Sequence, residues 1–165
     1  MKKVKQFIKY FVKEWALFVI IAIGLPIIIT NFITRTTVSG TSMLPTYVDG
    51  EKLWLSKVSE INNGDVIVAN CAGDKEEFYI IKRVIASPGD RLVIAGNDVY
   101  VNDNLLDESY IKDSEWNTDF IFNLDITLDE NEYFLMGDNR IESMDSRIIG
   151  PINQKNILGK IIEFF

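Results

Sequence analysis

The chain has 165 residues, of which 47% are hydrophobic and 25% are charged, and its formal net charge is -7. This length fits one domain, or one domain plus an anchor, and the single Cys71 excludes an internal disulfide. The absence of histidine excludes a Ser-His-Asp triad, a Cys-His pair and any histidine-containing zinc site. A nucleophilic serine would need another base, and lysine is the chief remaining candidate.

The charge is divided unevenly along the chain. Residues 1–35 contain six basic residues and one acidic residue, so residues 36–165 carry a net charge of -12. An acidic surface repels the phosphate backbone of nucleic acids. We therefore expect no nucleic-acid partner for the larger part of the chain.

An uncharged and largely apolar segment, residues 15–32, follows five lysines. It is about long enough to cross a hydrocarbon core, and the preceding lysines predict a cytoplasmic N-terminus. We therefore expect a cytoplasmic tail over residues 1–13, a transmembrane anchor over 14–34 and an extracytoplasmic domain over 35–165. A cleaved signal peptide is the competing interpretation, but the segment is long for one and no small-residue cleavage site closes it.

The run Ser39–Thr46, with the sequence SGTSMLPT, comes shortly after this segment. Gly40 and Pro45 flank Ser42, and they favour a fixed local turn over a continuing helix. A serine in such a turn is a candidate nucleophile. Taken alone, it is more often only a loop hydroxyl.

The rest of the chain has the pattern of a β protein. Short apolar runs bounded by Asp-Gly, Asn-Gly and Pro-Gly predict strands over residues 52–55, 65–69, 78–85, 91–95, 99–102, 120–126, 132–136 and 157–165. Residues 70–75 predict a hairpin loop, and Gly96-Asn97 a tight turn. Residues 103–119 predict an acidic surface excursion with no assigned function. Helical periodicity outside the anchor is weak, so we predict a mainly β, antiparallel domain.

Alternation along the strand FYIIKRVI places Phe78, Ile80, Lys82 and Val84 on one face. A lysine among apolar side chains loses solvation, which lowers its pKa because the charged form is disfavoured. A neutral amine is what a general base for a serine hydroxyl needs. Arg83 points to the opposite face, towards solvent or a structural partner. Taken alone, the pattern also fits a lysine that extends from an edge strand into water.

A polar run, GDNRIESMDSR at 137–147, follows the apolar strand 132–136. This density of polar side chains is typical of a hydrogen-bonded turn that supports a site, and also of a plain surface loop.

Three stretches in this order, after a membrane-type segment, resemble the motifs of bacterial type I signal peptidases: SMLPT (42–46), YIIKRVIASPGD (79–90) and GDNRIESMDSR (137–147). GDVIVAN (64–70) resembles a further strand motif of that family, and the single anchor resembles its Gram-positive forms. The resemblance implies the family's antiparallel β-sheet catalytic domain after one N-terminal transmembrane helix. It also implies a serine endopeptidase that removes signal peptides from exported preproteins.

The resemblance implies roles for individual residues as well. Ser42 matches the nucleophile, Lys82 its general base, and Ser143 the serine that hydrogen-bonds and orients the lysine amine. The other matched positions are Asp145 and Arg147, a pair that holds the site together; Met43 and Pro45, which shape the nucleophile's turn; and Val38, Leu53 and Ile81, which line the substrate pocket.

The chain departs from the family pattern at two places. Ile141-Glu142 stands where the family often has Asp-Asn, and Gly40 stands where some members have a serine whose hydroxyl helps to form the oxyanion hole. Oxyanion stabilisation would then depend on the Ser42 N–H and a neighbouring main-chain donor.

The resemblance further implies no metal or cofactor, cleavage after small residues at positions -1 and -3, contact with membrane lipid, and a single-pass location in the bacterial cell membrane. Two other classes stay open. One is a cytosolic Ser-Lys self-cleaving regulator, which should carry a DNA-binding module and no membrane segment. The other is a non-catalytic, membrane-anchored binding module.

Overall fold

A computed structural model describes residues 2–72, 77–111 and 122–162. The chain divides into two compact units, Met1–Thr34 and Arg35–Phe165.

The first unit is dominated by one long helix, α1 (Lys2–Phe32), which has Pro26 inside it. The helix extends back through the basic segment instead of beginning near residue 14. Trp15 stacks on Phe11 with ring centroids 5.5 Å apart, as expected for side chains four residues apart on a helix. Within the described residues, no helix meets the length and apolarity needed to cross a membrane. The anchor therefore stays a prediction.

The second unit is built mainly of strands. In chain order the strands are β1 (Ile33–Thr37), β2 (Lys52–Ser56), β3 (Val66–Ala72), β4 (Glu77–Ala86), β5 (Arg91–Ala95), β6 (Asp98–Val101), β7 (Asn104–Leu105), β8 (Asn123–Thr127), β9 (Glu132–Met136), β10 (Ile152–Asn153) and β11 (Ile157–Ile162). A short helix, α2 (Ser146–Ile149), and a 3₁₀ turn, Gln154–Asn156, lie between β9 and β11.

The described strands form two sheets. The larger has the order β1-β2-β11-β3-β4-β9-β10 and the smaller the order β7-β6-β5-β8. Pairings along both sheets are antiparallel, so the predicted mainly β, antiparallel fold is confirmed. β11 pairs with both β2 and β3, which places this late strand in the middle of the larger sheet.

The predicted alternation in β4 is confirmed by its packing. Ile80 and Val84 lie in one apolar cluster with Ile67 of β3, whereas Ile81 packs against a different cluster that contains Val68. Side chains two residues apart share a face of a sheet, so Lys82 lies on the same side as Ile80 and Val84.

The smaller sheet packs against one end of the larger one. Leu92, Ile94 and Val99 are fully buried in one cluster with Phe134 and Met136 of β9. β9 therefore joins the two sheets, and the polar run 137–147 begins directly where it ends.

The structure corrects the sequence-based boundaries in a few places. Asn70 and Cys71 belong to β3 instead of a hairpin loop, because they pair with Tyr79 and Phe78 and so continue the ladder. The short elements β7, β10 and α2 carry too few residues for a periodic pattern and were not predicted. β1 was not predicted because its first two residues fall within the segment expected to be the anchor. Predictions that fall on residues 73–75, 112–121 and 163–165 lie outside the described part of the chain.

Candidate active site

The turn that carries Ser42 lies between β1 and β2. Gly40 has a φ of 87°, in the left-handed region that favours glycine, and its N–H donates to Asp49 Oδ1 at 2.7 Å. Met43 is only 1% exposed and packs in the same apolar cluster as Val38. The peptide bond before Pro45 is cis. The buried Met43 thus holds the turn against the sheet while Ser42 stays half-buried at its surface.

Lys82 meets this turn from strand β4. Its Nζ lies 2.6 Å from Ser42 Oγ, within hydrogen-bond distance, and donates to the Ile81 carbonyl at 3.0 Å. Lys82 is 4% exposed. The structure therefore brings together the two residues that the resemblance matched to a nucleophile and its base.

Burial lowers the pKa of Lys82 below its ordinary value of 10.5, because removal from water disfavours the charged ammonium. The negative charge of Asp145 acts in the opposite direction but does not offset the burial. The amine is therefore easier to deprotonate than an exposed lysine, which suits a base.

Asp145 and Arg147 form a buried ion pair behind the lysine. Arg147 donates to Asp145 through Nε and Nη2, both at 2.8 Å, and the Gly137 N–H donates to the same carboxylate at 2.9 Å. Burial acts to raise the pKa of Asp145, but the hydrogen bonds and the charge of Arg147 outweigh it, so the pKa lies below 3.8. Asp145 also caps α2 by accepting from the Arg147 backbone N–H.

Ser143 lies beside this pair and is 8% exposed. Its hydroxyl contributes to the lowered pKa of Asp145, so it faces that carboxylate. Among the residues that the structure describes, however, its Oγ makes no hydrogen bond of normal geometry, including the expected one to Lys82. The expected orienting bond between Ser143 and Lys82 is therefore not formed.

Gly137 fits tightly between Ser42 and Ser143. A Cβ atom at this position would lie 2.2 Å from Ser143 Oγ and 2.5 Å from the Ser42 carbonyl oxygen. Non-bonded atoms do not approach this closely, so only glycine allows the end of β9 to lie so near the turn of Ser42.

Asp138 and Arg83 form a second buried pair that the sequence did not predict. Arg83 donates to the Asp138 carboxylate at 2.8 and 2.6 Å, and Thr46 Oγ1 donates to it at 2.5 Å. The sequence placed Arg83 on the face opposite Lys82, but nothing local identified its partner 55 residues later. This pair ties the turn of Ser42 to the end of β9.

The excursion that begins near residue 103 also reaches this region. The Arg83 guanidinium lies 4.1 Å from the centre of the Tyr110 ring, and Arg140 forms an ion pair with Glu108. Arg140 further donates to the Gly137 carbonyl at 3.0 Å. Residues of the excursion therefore contact the polar run and strand β4 and support them. The acidic and irregular sequence of the excursion did not predict this role.

The predicted pocket residues Val38, Leu53 and Ile81 lie in one apolar cluster with Met43. Val38 and Leu53 are buried, at 3% and 8% exposed, and only Ile81 is partly exposed. The cluster therefore forms an apolar wall beneath the turn of Ser42, with Ile81 as the member that solvent reaches.

Residues 12–165 match the family described as "Signal peptidase, peptidase S26". The chain is 34% identical to Signal peptidase I of Bacillus amyloliquefaciens, over 88% of this chain and 81% of that protein. It is 32% identical to Signal peptidase I of Streptococcus pneumoniae, over 92% of this chain and 91% of that protein. The crystal structure of a signal peptidase I from Enterococcus faecalis superposes with a TM-score of 0.52 at 24% identity, covering 64% of this chain and 99% of that one.

Proposed function

The chain belongs to the peptidase S26 family of signal peptidases, and we propose that it removes signal peptides from exported preproteins with Ser42 as nucleophile and Lys82 as general base. The observation that carries this proposal is the distance of 2.6 Å between Ser42 Oγ and Lys82 Nζ, with the lysine 4% exposed. The distance between the two atoms fits direct proton transfer, and the burial of Lys82 favours its neutral amine.

The proposed reaction has two steps. Neutral Lys82 takes the proton of Ser42 as Oγ bonds to the scissile carbonyl carbon, and a main-chain N–H stabilises the oxyanion. The C–N bond then breaks, and Lys82 gives the proton to the leaving amine. A water molecule attacks the resulting ester, Lys82 takes its proton, and the signal peptide leaves as the proton returns to Ser42 Oγ. This route uses no metal or cofactor.

The remaining site residues act as supports in this proposal. Asp145 and Arg147 keep a fixed ion pair behind the amine, and Ser143 can orient the amine once substrate is bound, although its hydroxyl lacks that bond in the free state. Met43 and Pro45 hold the turn of Ser42.

The proposed mode of substrate binding rests on family membership and on the apolar wall beneath Ser42. Val38, Leu53 and Ile81 would contact small side chains at positions -1 and -3 of a preprotein bound as an extended strand. The uncharged segment 15–32 would anchor the enzyme in the bacterial cell membrane with its N-terminus in the cytoplasm, next to membrane-tethered substrates.

The test is cleavage of a preprotein by full-length Ser42→Ala and Lys82→Ala variants. Each should lose activity by at least about 10³-fold, since each removes one partner of a unit that acts together. A cooperative unfolding transition in urea would show that each variant is folded, and a Thr127→Ala variant on β8 of the smaller sheet serves as control. Full activity in either variant would contradict the dyad.

A further inference from the structure

The peptide group between Thr41 and Ser42 has its two ends in different environments. The Thr41 carbonyl accepts hydrogen bonds from the Leu44 N–H at 3.1 Å and from Asn139 Nδ2 at 3.2 Å. The Ser42 N–H, at the other end, donates to no protein group within residues 2–72, 77–111 and 122–162. One end of the group is fixed, and the other is a free donor beside the nucleophile.

The planarity of the peptide bond links these two ends. In a trans peptide the C=O and the N–H point in opposite directions, so a carbonyl held in place also fixes the direction of the N–H. Asn139 holds the peptide groups on both sides of Ser42, because its backbone N–H also donates to the Ser42 carbonyl, at 3.0 Å. One residue of the polar run therefore sets the backbone orientation of the nucleophile.

Glu142 completes the arrangement around Asn139. Thr41 Oγ1 donates to Glu142 Oε2 at 2.9 Å, and the Glu142 N–H donates to Asn139 Oδ1 at 3.4 Å. The amide of Asn139 also faces the Glu142 carboxylate, with Nδ2 at 3.5 Å from Oε2. Thr41 and Glu142 are both exposed, so these bonds add little to the core. Together these bonds fix the position of the Asn139 amide relative to Thr41.

We propose that Asn139 and Glu142 are positioning residues that direct the Ser42 N–H as the oxyanion donor. The inference depends on the proposed function, in which Ser42 attacks a carbonyl. It also assigns a role to Glu142, one of the two residues that differ from the family's usual Asp-Asn. Because Gly40 offers no hydroxyl to the oxyanion, the main-chain donor carries more of the stabilisation, and its direction matters more.

The test compares full-length Asn139→Asp with the wild type. The carboxylate keeps the size of the side chain and the backbone N–H, but it cannot donate to the Thr41 carbonyl. We expect kcat to fall by about 10- to 100-fold, less than the loss of an oxyanion donor itself, with KM changed less than about twofold. Glu142→Ala and Thr41→Val should lower kcat in the same direction, and Glu142→Gln should retain most activity because its amide oxygen still accepts from Thr41.

The affinity for a peptide aldehyde inhibitor distinguishes the proposed role from a purely structural one, because the bound aldehyde carries an oxyanion. Ser42 Oγ adds to the aldehyde carbon, the carbonyl oxygen becomes an oxyanion, and the serine proton passes to Lys82. Affinity for the aldehyde should fall with kcat in Asn139→Asp, while the acidic limb of the pH–rate profile should stay in place in Thr41→Val, which adds no charge near Lys82. Ile141→Ala, an exposed side chain of the same turn, is the matched control and should leave both quantities unchanged.

Two results would overturn the inference. One is Asn139→Asp with wild-type kcat and aldehyde affinity, while Ser42→Ala is inactive; the proposed function would then stand without it. The other is a loss of kcat in Asn139→Asp with unchanged aldehyde affinity, or a shifted acidic limb in Thr41→Val, which would mean that this cluster acts on folding or on Lys82. Activity in Ser42→Ala would instead contradict the proposed function itself.

Discussion

A lysine can act as a base near neutral pH only if its surroundings favour the neutral amine, and the surroundings of Lys82 do so mainly by burial. The same burial opposes folding. The unfolded chain holds a proton at this position more firmly than the folded chain does, so protonation favours the unfolded state at every pH below about 10.5. The burial of Lys82 therefore costs stability, and in the proposed function the same burial makes the amine a base.

Lys82→Met should separate the two properties. Methionine keeps an unbranched aliphatic side chain but has no amine to deprotonate, so we expect the free energy of unfolding at pH 7 to rise by about 1 kcal/mol while activity is lost. The gain should shrink as the pH approaches 10.5, where the unfolded chain also releases the proton. Urea unfolding of the wild type and the variant, at pH 7 and near pH 10.5, measures this gain. Lys155→Met, at an exposed lysine, is the control, and a lower stability of Lys82→Met at pH 7 would contradict this account.

At the scale of elements, the site depends on how closely the end of β9 approaches the turn of Ser42. The register that pairs Arg83 with Met136 brings Gly137 beside Lys82 of β4. The Arg83–Asp138 pair and the Thr46 hydroxyl then fix the two segments to each other. A side chain that separates these segments should shift Ser42 from its position beside Lys82.

Gly137→Ala tests this dependence. The added Cβ would overlap the Ser42 carbonyl oxygen and the Ser143 side chain, so the backbone must move. We expect a loss of stability of about 1–3 kcal/mol and a larger relative loss of kcat than of substrate affinity. Urea unfolding and steady-state kinetics measure the two effects. Combining the change with Ser143→Gly should not restore the stability, because the Ser42 oxygen belongs to the backbone. Near wild-type kcat in Gly137→Ala would show that the close approach is not needed.

The sequence predicted those elements whose pattern is local. Alternation alone placed Lys82 on the apolar face of β4, and Gly96-Asn97 predicted the turn between β5 and β6. It could not predict which residues meet across the fold. Asn139 contacts Thr41 across 98 residues, and Glu108 reaches Arg140 across 32, and no periodicity records such pairs. The three motifs could be recognised, but the contacts between them come from the pairing of β3, β4 and β9.

At the scale of the whole molecule, the chain couples a long helix to a β domain with two sheets. In the proposed function the N-terminal segment keeps enzyme and substrate in one membrane layer, which raises their effective concentration. The segment should then matter only for substrates that share the membrane.

Deletion of residues 1–32, which leaves strand β1 complete, tests the anchor. We expect cleavage of a membrane-inserted preprotein to fall by about 10²-fold, while cleavage of a short, water-soluble peptide with the same cleavage site falls far less. Parallel assays of both substrates, with detergent held constant, measure the difference. Equal losses on the two substrates would mean that the segment supports the fold of the β domain, and no loss on either would mean that it has no anchoring role.

If neutral Lys82 activates Ser42, covalent labelling of Ser42 should depend on pH and on the presence of Lys82. The full-length protein is treated with a serine-reactive electrophile at a series of pH values below 10.5, the ordinary pKa of lysine, and the adduct is located by mass spectrometry. We predict a single adduct on Ser42, formed more slowly as the pH falls through the lowered pKa of Lys82, and no adduct in Lys82→Ala. Labelling of Ser42 at an unchanged rate in Lys82→Ala, or at a rate independent of pH, would contradict the account.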